Sequence, residues 1–183
     1  MLPIRTVLFV APFVVLVVVA WGRRRGESWP TLAARVLLAG AITMIVGLTI
    51  FPLALDHLLG SVNPVRGFPT LVPLRKMRAD IAEGLSARQA RQIVGNVLLF
   101  VPLGLTLPLA VTRCRRAIVT IVVVAGASLG IEILQMVLPF RDPDIDDVIL
   151  NTIGGALGYA VYRLAARLAR RYAPTHAGSI ERC

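Results

Sequence analysis

The sequence is poor in charged residues: only 16% of its 183 residues are Asp, Glu, Lys or Arg, whereas 56% are apolar. An average soluble domain carries about 25% charged residues. This composition excludes an ordinary water-soluble globular domain. It indicates a chain whose main solvent is the hydrocarbon of a membrane.

Acidic residues and lysine are also scarce. Ten Asp and Glu face twenty Lys and Arg, nineteen of them Arg, for a net charge of +10. Such an excess could indicate nucleic-acid binding if it lay on a water-soluble face. Here the arginines lie between and beyond long apolar runs, where loops contact anionic lipid headgroups. We therefore expect membrane lipids as partners and no nucleic acid.

Cysteine and histidine are nearly absent. Cys114 and Cys183 are too few for a disulfide framework and lack metal-ligand spacing, and His57 and His176 are isolated. The sequence contains no Gly-rich phosphate loop, and Ser128 lacks the spacing of a nucleophile elbow. We expect no cofactor, and the sequence favours a non-enzymatic role without deciding that question.

Long apolar runs, by contrast, are abundant, and they predict an all-α fold. A helix of about 20 apolar residues spans the roughly 30 Å of bilayer hydrocarbon. The sequence therefore predicts a polytopic transmembrane helical bundle of about five transmembrane helices plus a short interfacial helix. The predicted transmembrane segments are 1–22, 36–55, 93–111, 117–138 and 148–166.

The first and fifth segments leave alternatives open. The first could be a signal peptide, but the cluster of Arg23, Arg24 and Arg25 follows the apolar run, and no small-x-small cleavage site is evident. An uncleaved anchor is therefore favoured. The fifth has only fifteen uncharged residues before Arg163, so it could instead be re-entrant.

Residues 56–92 form the one sizeable region predicted outside the membrane. The first half is rich in turn residues and should be irregular. In the second half, Ser86-Ala-Arg-Gln89 fits a capping box that opens a short basic helix leading into the third segment. We expect that helix to lie on the headgroups.

The basic residues also predict orientation. The densest arginine clusters lie in the short connections, which the positive-inside rule assigns to the cytoplasm. With five segments the N-terminus is then outside, and the tail at 167–183 is cytoplasmic. The predicted location is the plasma membrane. Both cysteines would be cytosolic, so a membrane-impermeant maleimide should label neither in intact cells.

A polar constellation gathers where the fourth and fifth segments meet. The third segment runs antiparallel to the fourth, so Asn96 lies on the same membrane side as this turn. Glu132 is about 9 Å below the interface, where an ionised carboxylate costs about 2–3 kcal/mol. Because ionisable residues inside a membrane usually serve a functional site, the sequence predicts a polar pocket that opens to the outer leaflet. The predicted ligand-binding residues are Asn96, Glu132, Gln135, Arg141, Asp144, Asp147 and Asn151.

Two alternatives stand beside that prediction. Glu132 could pair with Arg141 while the amides only lock helices together. Asp144, Asp146 and Asp147 could hold a divalent cation, although capping of the fifth helix by these acids is favoured.

Glycines recur at a spacing of four on both helices that flank this turn, at Gly126 and Gly130 and at Gly154 and Gly158. This spacing permits close approach of helix backbones. We expect the fourth and fifth helices to pack through these glycines. Homodimerisation through either pair is the alternative.

Four linked motifs resemble the VanZ-like membrane proteins over roughly residues 69–162. They read Gly95-Asn96-Val-Leu-Leu-Phe100-Val-Pro102-Leu-Gly104, Ile131-Glu132-Ile-Leu-Gln135, Arg141-Asp-Pro-Asp144-Ile-Asp146-Asp147 and Asn151-Thr152-Ile-Gly154-Gly-Ala-Leu-Gly158-Tyr159. One departure is Thr70-Leu-Val-Pro73-Leu74, where such proteins often carry Asn-x-x-Pro-Phe. The resemblance implies a cell-envelope protein and a family named for a link to teicoplanin resistance, but it implies no reaction.

Three functions are therefore open. The leading hypothesis is a non-enzymatic protein whose outer-facing pocket binds a lipid headgroup or an amphipathic molecule such as an antibiotic, with Arg141 holding an anion. The second is an enzyme acting on a lipid-linked envelope precursor, with Glu132 as general acid or base and a metal at the Asp turn. The third is a structural or partner-binding protein without a ligand.

Overall fold

A computed structural model of the chain describes residues 2–50, 72–82, 84–137 and 144–172. Within these ranges the chain forms six α-helices and one short 3₁₀ helix. The helices are α1 (Leu2–Arg24), α2 (Trp29–Thr49), α3 (Arg75–Ala82), α4 (Ala87–Ala110), the 3₁₀ helix (Thr112–Arg115), α5 (Ala117–Val137) and α6 (Ile145–Tyr172).

Five of these helices are long and apolar enough to cross a membrane, namely α1, α2, α4, α5 and α6. This confirms the predicted all-α fold with five membrane-spanning helices. The fifth, α6, has 28 residues and is therefore about 42 Å long at 1.5 Å per residue. It is therefore longer than the hydrocarbon is thick, and its last residues, 167–172, belong to the segment that was expected to be a tail. The rest of that segment, residues 173–183, lies outside the described ranges.

The second spanning helix begins earlier than expected, at Trp29 instead of residue 36. Ser28 has the extended backbone of an N-cap residue, and Pro30 stands in the first turn, where its missing N–H costs no hydrogen bond. The sequence-based start at residue 36 follows from the charge of Arg35, which was expected to lie outside the helix. In the structure Arg35 pairs with Glu27, so the helix accommodates it. The end expected at residue 55 lies outside the described ranges.

The predicted capping box before α4 is confirmed. The Ser86 hydroxyl accepts a hydrogen bond from Gln89 N at 3.3 Å, and Gln89 Oε1 accepts one from Ser86 N at 2.8 Å. However, the helix that it opens continues without a break into the third spanning helix. The separate short helix outside the spans is instead α3, which the sequence did not predict.

A seam of glycines joins α4 to α6. A methyl group at Gly154 would overlap the Val97 carbonyl oxygen, and one at Gly158 would overlap that of Val101. From α4, Gly104 meets the backbone of Gly155 in the same way. Because the contacts advance by four residues on both helices, α4 and α6 run parallel and begin at the same end of the bundle.

The structure corrects the expected partner of these glycines. Gly154 and Gly158 face α4, which is the third spanning helix, and not α5, which is the fourth. Gly126 and Gly130 of α5 are exposed, with open space where a side chain would stand. The physical reason is that α5 packs on α6 through a side chain, with Val124 lying against Gly155. Only α4 brings its backbone close enough to require glycines.

Candidate functional site

The first turn of α6 begins with an acidic N-cap that also contacts α5. The Asp144 carboxylate accepts a hydrogen bond from Asp146 N at 3.0 Å, which is the capping contact expected of an N-cap Asp. The backbone N–H of Asp144 donates to Glu132 Oε2 at 3.1 Å. Both side chains are buried, so the membrane-embedded Glu132 is held at the start of α6.

A second contact links α6 to α4. The Asn96 side-chain amide donates to Asp147 Oδ1 at 2.5 Å. A carboxylate oxygen can only accept, so the orientation of the Asn96 amide is fixed. This brings Asn96 and Asp147 together across 51 residues of sequence, on the end of the bundle that the topology predicted.

One turn further into the bundle, Asn151 Nδ2 donates to the Ser128 hydroxyl at 2.8 Å, and both residues are buried. Ser128 was not among the predicted site residues. It could have been found from helical spacing, because it lies one turn before Glu132 on the same face of α5.

Asp146 was predicted as a capping acid or a cation ligand but not among the ligand-binding residues. Its carboxylate accepts hydrogen bonds from the backbone N–H groups of Leu74 at 2.5 Å and Met77 at 3.3 Å. It therefore caps the start of α3 from α6. Leu74 has a φ of 61°, a conformation that a Leu residue rarely adopts. The contact joins residues 72 positions apart, so no local pattern could reveal it.

Gln135 lies on the other side of the arrangement. Its amide nitrogen donates to the Thr49 carbonyl oxygen, the last residue of α2, at 3.3 Å. The residue is 2% exposed. The structure therefore places Gln135 against α2, while Asn96 and Asp147 join α4 and α6.

Together these residues form a set of polar side chains toward one end of the bundle. We call them the polar layer. It consists of Asn96, Ser128, Glu132, Gln135, Asp144, Asp146, Asp147 and Asn151. Predicted Arg141 lies outside the described residues.

A cavity of about 30 Å³ adjoins the polar layer, and we call it the α6 cavity. Its polar lining comes from the three aspartates at the start of α6 and from Gln89 and Gln92 of α4. Met77, Ile93 and Leu150 supply its apolar lining. Among the predicted site residues, Asp144 and Asp147 line it, whereas Asn96, Glu132, Gln135 and Asn151 do not.

The acids of the turn were also considered as metal ligands. Within the described residues, no group of three or more His, Cys, Asp or Glu side chains is placed to share a metal ion. Asp144 serves as the N-cap of α6, and Asp146 and Asp147 contact other helices.

Comparison with known proteins gives the family. A family model described as VanZ/LLP1 matches residues 38–166. Protein VanZ of Enterococcus faecium is 36% identical over 79 residues, which cover 41% of this chain and 46% of that protein. The chain thus matches about half the length of that curated relative. No solved structure matches significantly. Because the family match covers well over half of the chain and includes the whole polar layer, the chain belongs to the VanZ/LLP1 family.

Proposed function

We propose that this protein binds the headgroup of a lipid, or the polar part of an amphipathic molecule, at the α6 cavity on the outer side of the plasma membrane. The observation that carries the proposal is the position of this cavity, lined by three buried aspartates, beside a polar layer at one end of a membrane bundle.

Helix packing alone accounts for some of the polar layer but not for the cavity. The bonds of Asn96 to Asp147 and of Asn151 to Ser128 lock helices together, as polar side chains do in membranes. A purely structural layer would close around its own hydrogen bonds. Instead an opening of about 30 Å³ remains, and a buried water needs about 10–15 Å³. A small polar group therefore fits.

The lining of the cavity suits a molecule with a polar and an apolar part. Carboxylates and amides of α4 and α6 supply acceptors and donors, while Met77, Ile93 and Leu150 supply apolar surface. These residues lie at the start of α4 and α6 and on α3, hence at the end of the bundle. That is the depth at which lipid headgroups meet acyl chains.

The distribution of arginines supports an outer location. The connections at the opposite end carry Arg23, Arg24, Arg25, Arg113, Arg115 and Arg116, all exposed. By the positive-inside rule this distribution favours a cytoplasmic location for that end. In this orientation the polar layer would face outward, where a lipid-linked envelope precursor or an amphipathic glycopeptide could reach it. Through this binding the protein would contribute to teicoplanin resistance.

Photo-crosslinking tests the proposal directly. We would incubate the purified protein with a phospholipid that carries a diazirine beside its glycerol group, and map the adducts by peptide mass spectrometry. We expect adducts concentrated near Met77, Ile93 and Leu150. Excess unlabelled lipid should compete for those adducts.

The exposed face of α1 is the internal control. Phe9 and Phe13 are 86% and 68% exposed and should meet bulk lipid only, so their adducts should resist competition. Adducts spread evenly over all exposed apolar faces, without a competed set beside the cavity, would contradict headgroup binding.

A further inference from the structure

Gln135 presents a buried acceptor that no donor among the described residues fills. Its amide nitrogen donates to the Thr49 carbonyl oxygen, which can only accept, so the amide orientation is fixed. The other amide atom, Oε1, is buried and has no hydrogen-bond partner. Buried polar atoms in proteins are nearly always bonded to protein, water or a ligand. This oxygen therefore points to an occupant that donates.

The surroundings of Gln135 favour a positively charged donor. Thr49 ends α2, and the C-terminus of a helix carries a partial negative charge. Glu132 lies three residues before Gln135 on the same face of α5 and is buried. Among the charged side chains that the structure describes, those that are buried are all carboxylates.

A second buried oxygen in the polar layer also lacks a hydrogen-bond donor. Asn151 Oδ1 is also buried without a partner. In the described part of the chain, every buried side-chain atom without a hydrogen-bond partner is an oxygen. Two amide oxygens of the polar layer thus lack a hydrogen-bond donor among the described residues.

The depth of Gln135 matches that of a headgroup. It lies two residues before Val137, the last residue of α5, so it is about 3 Å from the helix end along the axis. Its partner Thr49 ends α2 at the same level. A phospholipid places its charged headgroup, not its acyl chains, at this boundary.

We propose that Gln135 Oε1 accepts a hydrogen bond from the primary ammonium of a lipid headgroup at a second position, beside the ends of α2 and α5. This inference goes beyond the proposed function, because Gln135 does not line the α6 cavity. Phosphoethanolamine carries an ammonium with three N–H donors. Phosphocholine carries the same charges but no N–H, and so cannot make this bond.

The test compares the two headgroups on one protein sample. Purified protein receives an equimolar mixture of phosphatidylethanolamine and phosphatidylcholine with identical acyl chains, and native mass spectrometry measures the bound ratio. We expect about fivefold preference for phosphatidylethanolamine, the size expected for one hydrogen bond. Equal binding of both lipids would overturn the ammonium assignment.

Two variants separate recognition from folding. Gln135→Met and Gln135→Glu both lose the N–H that donates to Thr49, but only Glu keeps acceptor oxygens. The preference should fall to about one in Gln135→Met and persist or rise in Gln135→Glu. Loss of the preference in both variants would show that Gln135 acts through its bond to α2, and would contradict the proposal.

Two further outcomes identify the source of the ammonium and separate this inference from the proposed function. Once a preference for phosphatidylethanolamine supports ammonium recognition, competition by soluble phosphoethanolamine would identify a free amine as the ligand, and lack of competition would identify the lipid. Failure to retain either lipid would overturn both the proposed function and this inference. Retention without preference would overturn only the ammonium assignment at Gln135.

Discussion

The two ends of the bundle differ in whether charged side chains are buried. At the end with the α1–α2 turn, arginines stay exposed and lie over exposed tryptophans, with Arg25 at 3.8 Å from the Trp21 ring and Arg23 at 4.8 Å from the Trp29 ring. At the other end, the aspartates of α6 are buried and contact residues from other helices. The first arrangement anchors a protein in headgroups. The second costs free energy, and it is the arrangement on which the proposed binding site depends.

One glycine seam, between residues 97–105 of α4 and 154–158 of α6, holds these two helices together midway between the two ends. The largest effect should therefore come from Gly158→Leu, which drives a side chain into the Val101 carbonyl. We expect a loss of about 3 kcal/mol or more, seen as loss of monodisperse protein in size-exclusion chromatography. Gly130→Leu is the matched control, since Gly130 faces open space; an equal loss there would contradict the seam.

The next largest effect should come from Asp147→Ala at the acidic end. It leaves the Asn96 amide without its carboxylate partner and should destabilise the bundle by about 1–3 kcal/mol. Thermal unfolding in detergent measures the change. Asp147→Asn keeps an oxygen that can accept from Asn96 and should recover most of the stability. Equal losses in the two variants would mean that this hydrogen bond is unimportant.

Asp146→Ala should have a smaller and local effect. It removes the acceptor of the Leu74 and Met77 amides, so α3 should detach from α6 while the spanning helices remain packed. Hydrogen exchange at these two amides should become at least about tenfold faster. Amides in α4 serve as the control. Unchanged exchange at Leu74 would show that Asp146 does not hold α3.

At the end with the α1–α2 turn, the thiol of Cys114 should react more slowly than that of an exposed cysteine. Cys114 is 3% exposed, and burial raises the pKa of its thiol. Since the thiolate is the reactive form, maleimide in permeabilised membranes should label it at least about tenfold more slowly than Cys introduced by Arg116→Cys. Its rate should still rise at pH values where the control has levelled off. Equal rates would contradict burial.

Cys114 also alters how membrane orientation can be tested. A thiol that is buried reacts slowly from either side, so its failure to label in intact cells does not locate it. Introduced cysteines at exposed arginines, such as Arg24 at one end and Arg91 at the other, in a Cys114→Ser and Cys183→Ser background, give the required test. Only Cys at position 91 should label in intact cells.

Features encoded over short distances were predictable from the sequence. Each spanning helix contains an uncharged, mostly apolar run of fourteen residues or more, and the capping box at Ser86 and Gln89 is local. The convergence of Asn96 with the Asp turn followed from counting membrane crossings. The bond between Asn96 and Asp147 agrees with that count.

Features that depend on which helices meet were not predictable. The spacing of Gly154 and Gly158 indicates a close neighbour but cannot name it, and the neighbour is α4. Asp146 contacts a segment 72 residues away. Gln135 shares a helix face with Glu132, yet its amide contacts α2. A long side chain near the end of a helix can contact a helix that does not pack against that face, and helical spacing alone does not identify this neighbour.

The central claim is that the end of the bundle with the polar layer binds a specific lipid headgroup and that the end with the α1–α2 turn does not. The most direct measurement is the quantity of lipid retained through purification by two variants, Asp147→Asn and Glu27→Gln. Asp147 lines the α6 cavity. In Asp147→Asn the side-chain oxygen can still accept from the Asn96 amide, so the fold should be kept while the charge is lost. Glu27→Gln makes the same change at the end with the α1–α2 turn. The account predicts loss of a specific lipid in Asp147→Asn only; equal retention by both variants and the wild type would contradict it.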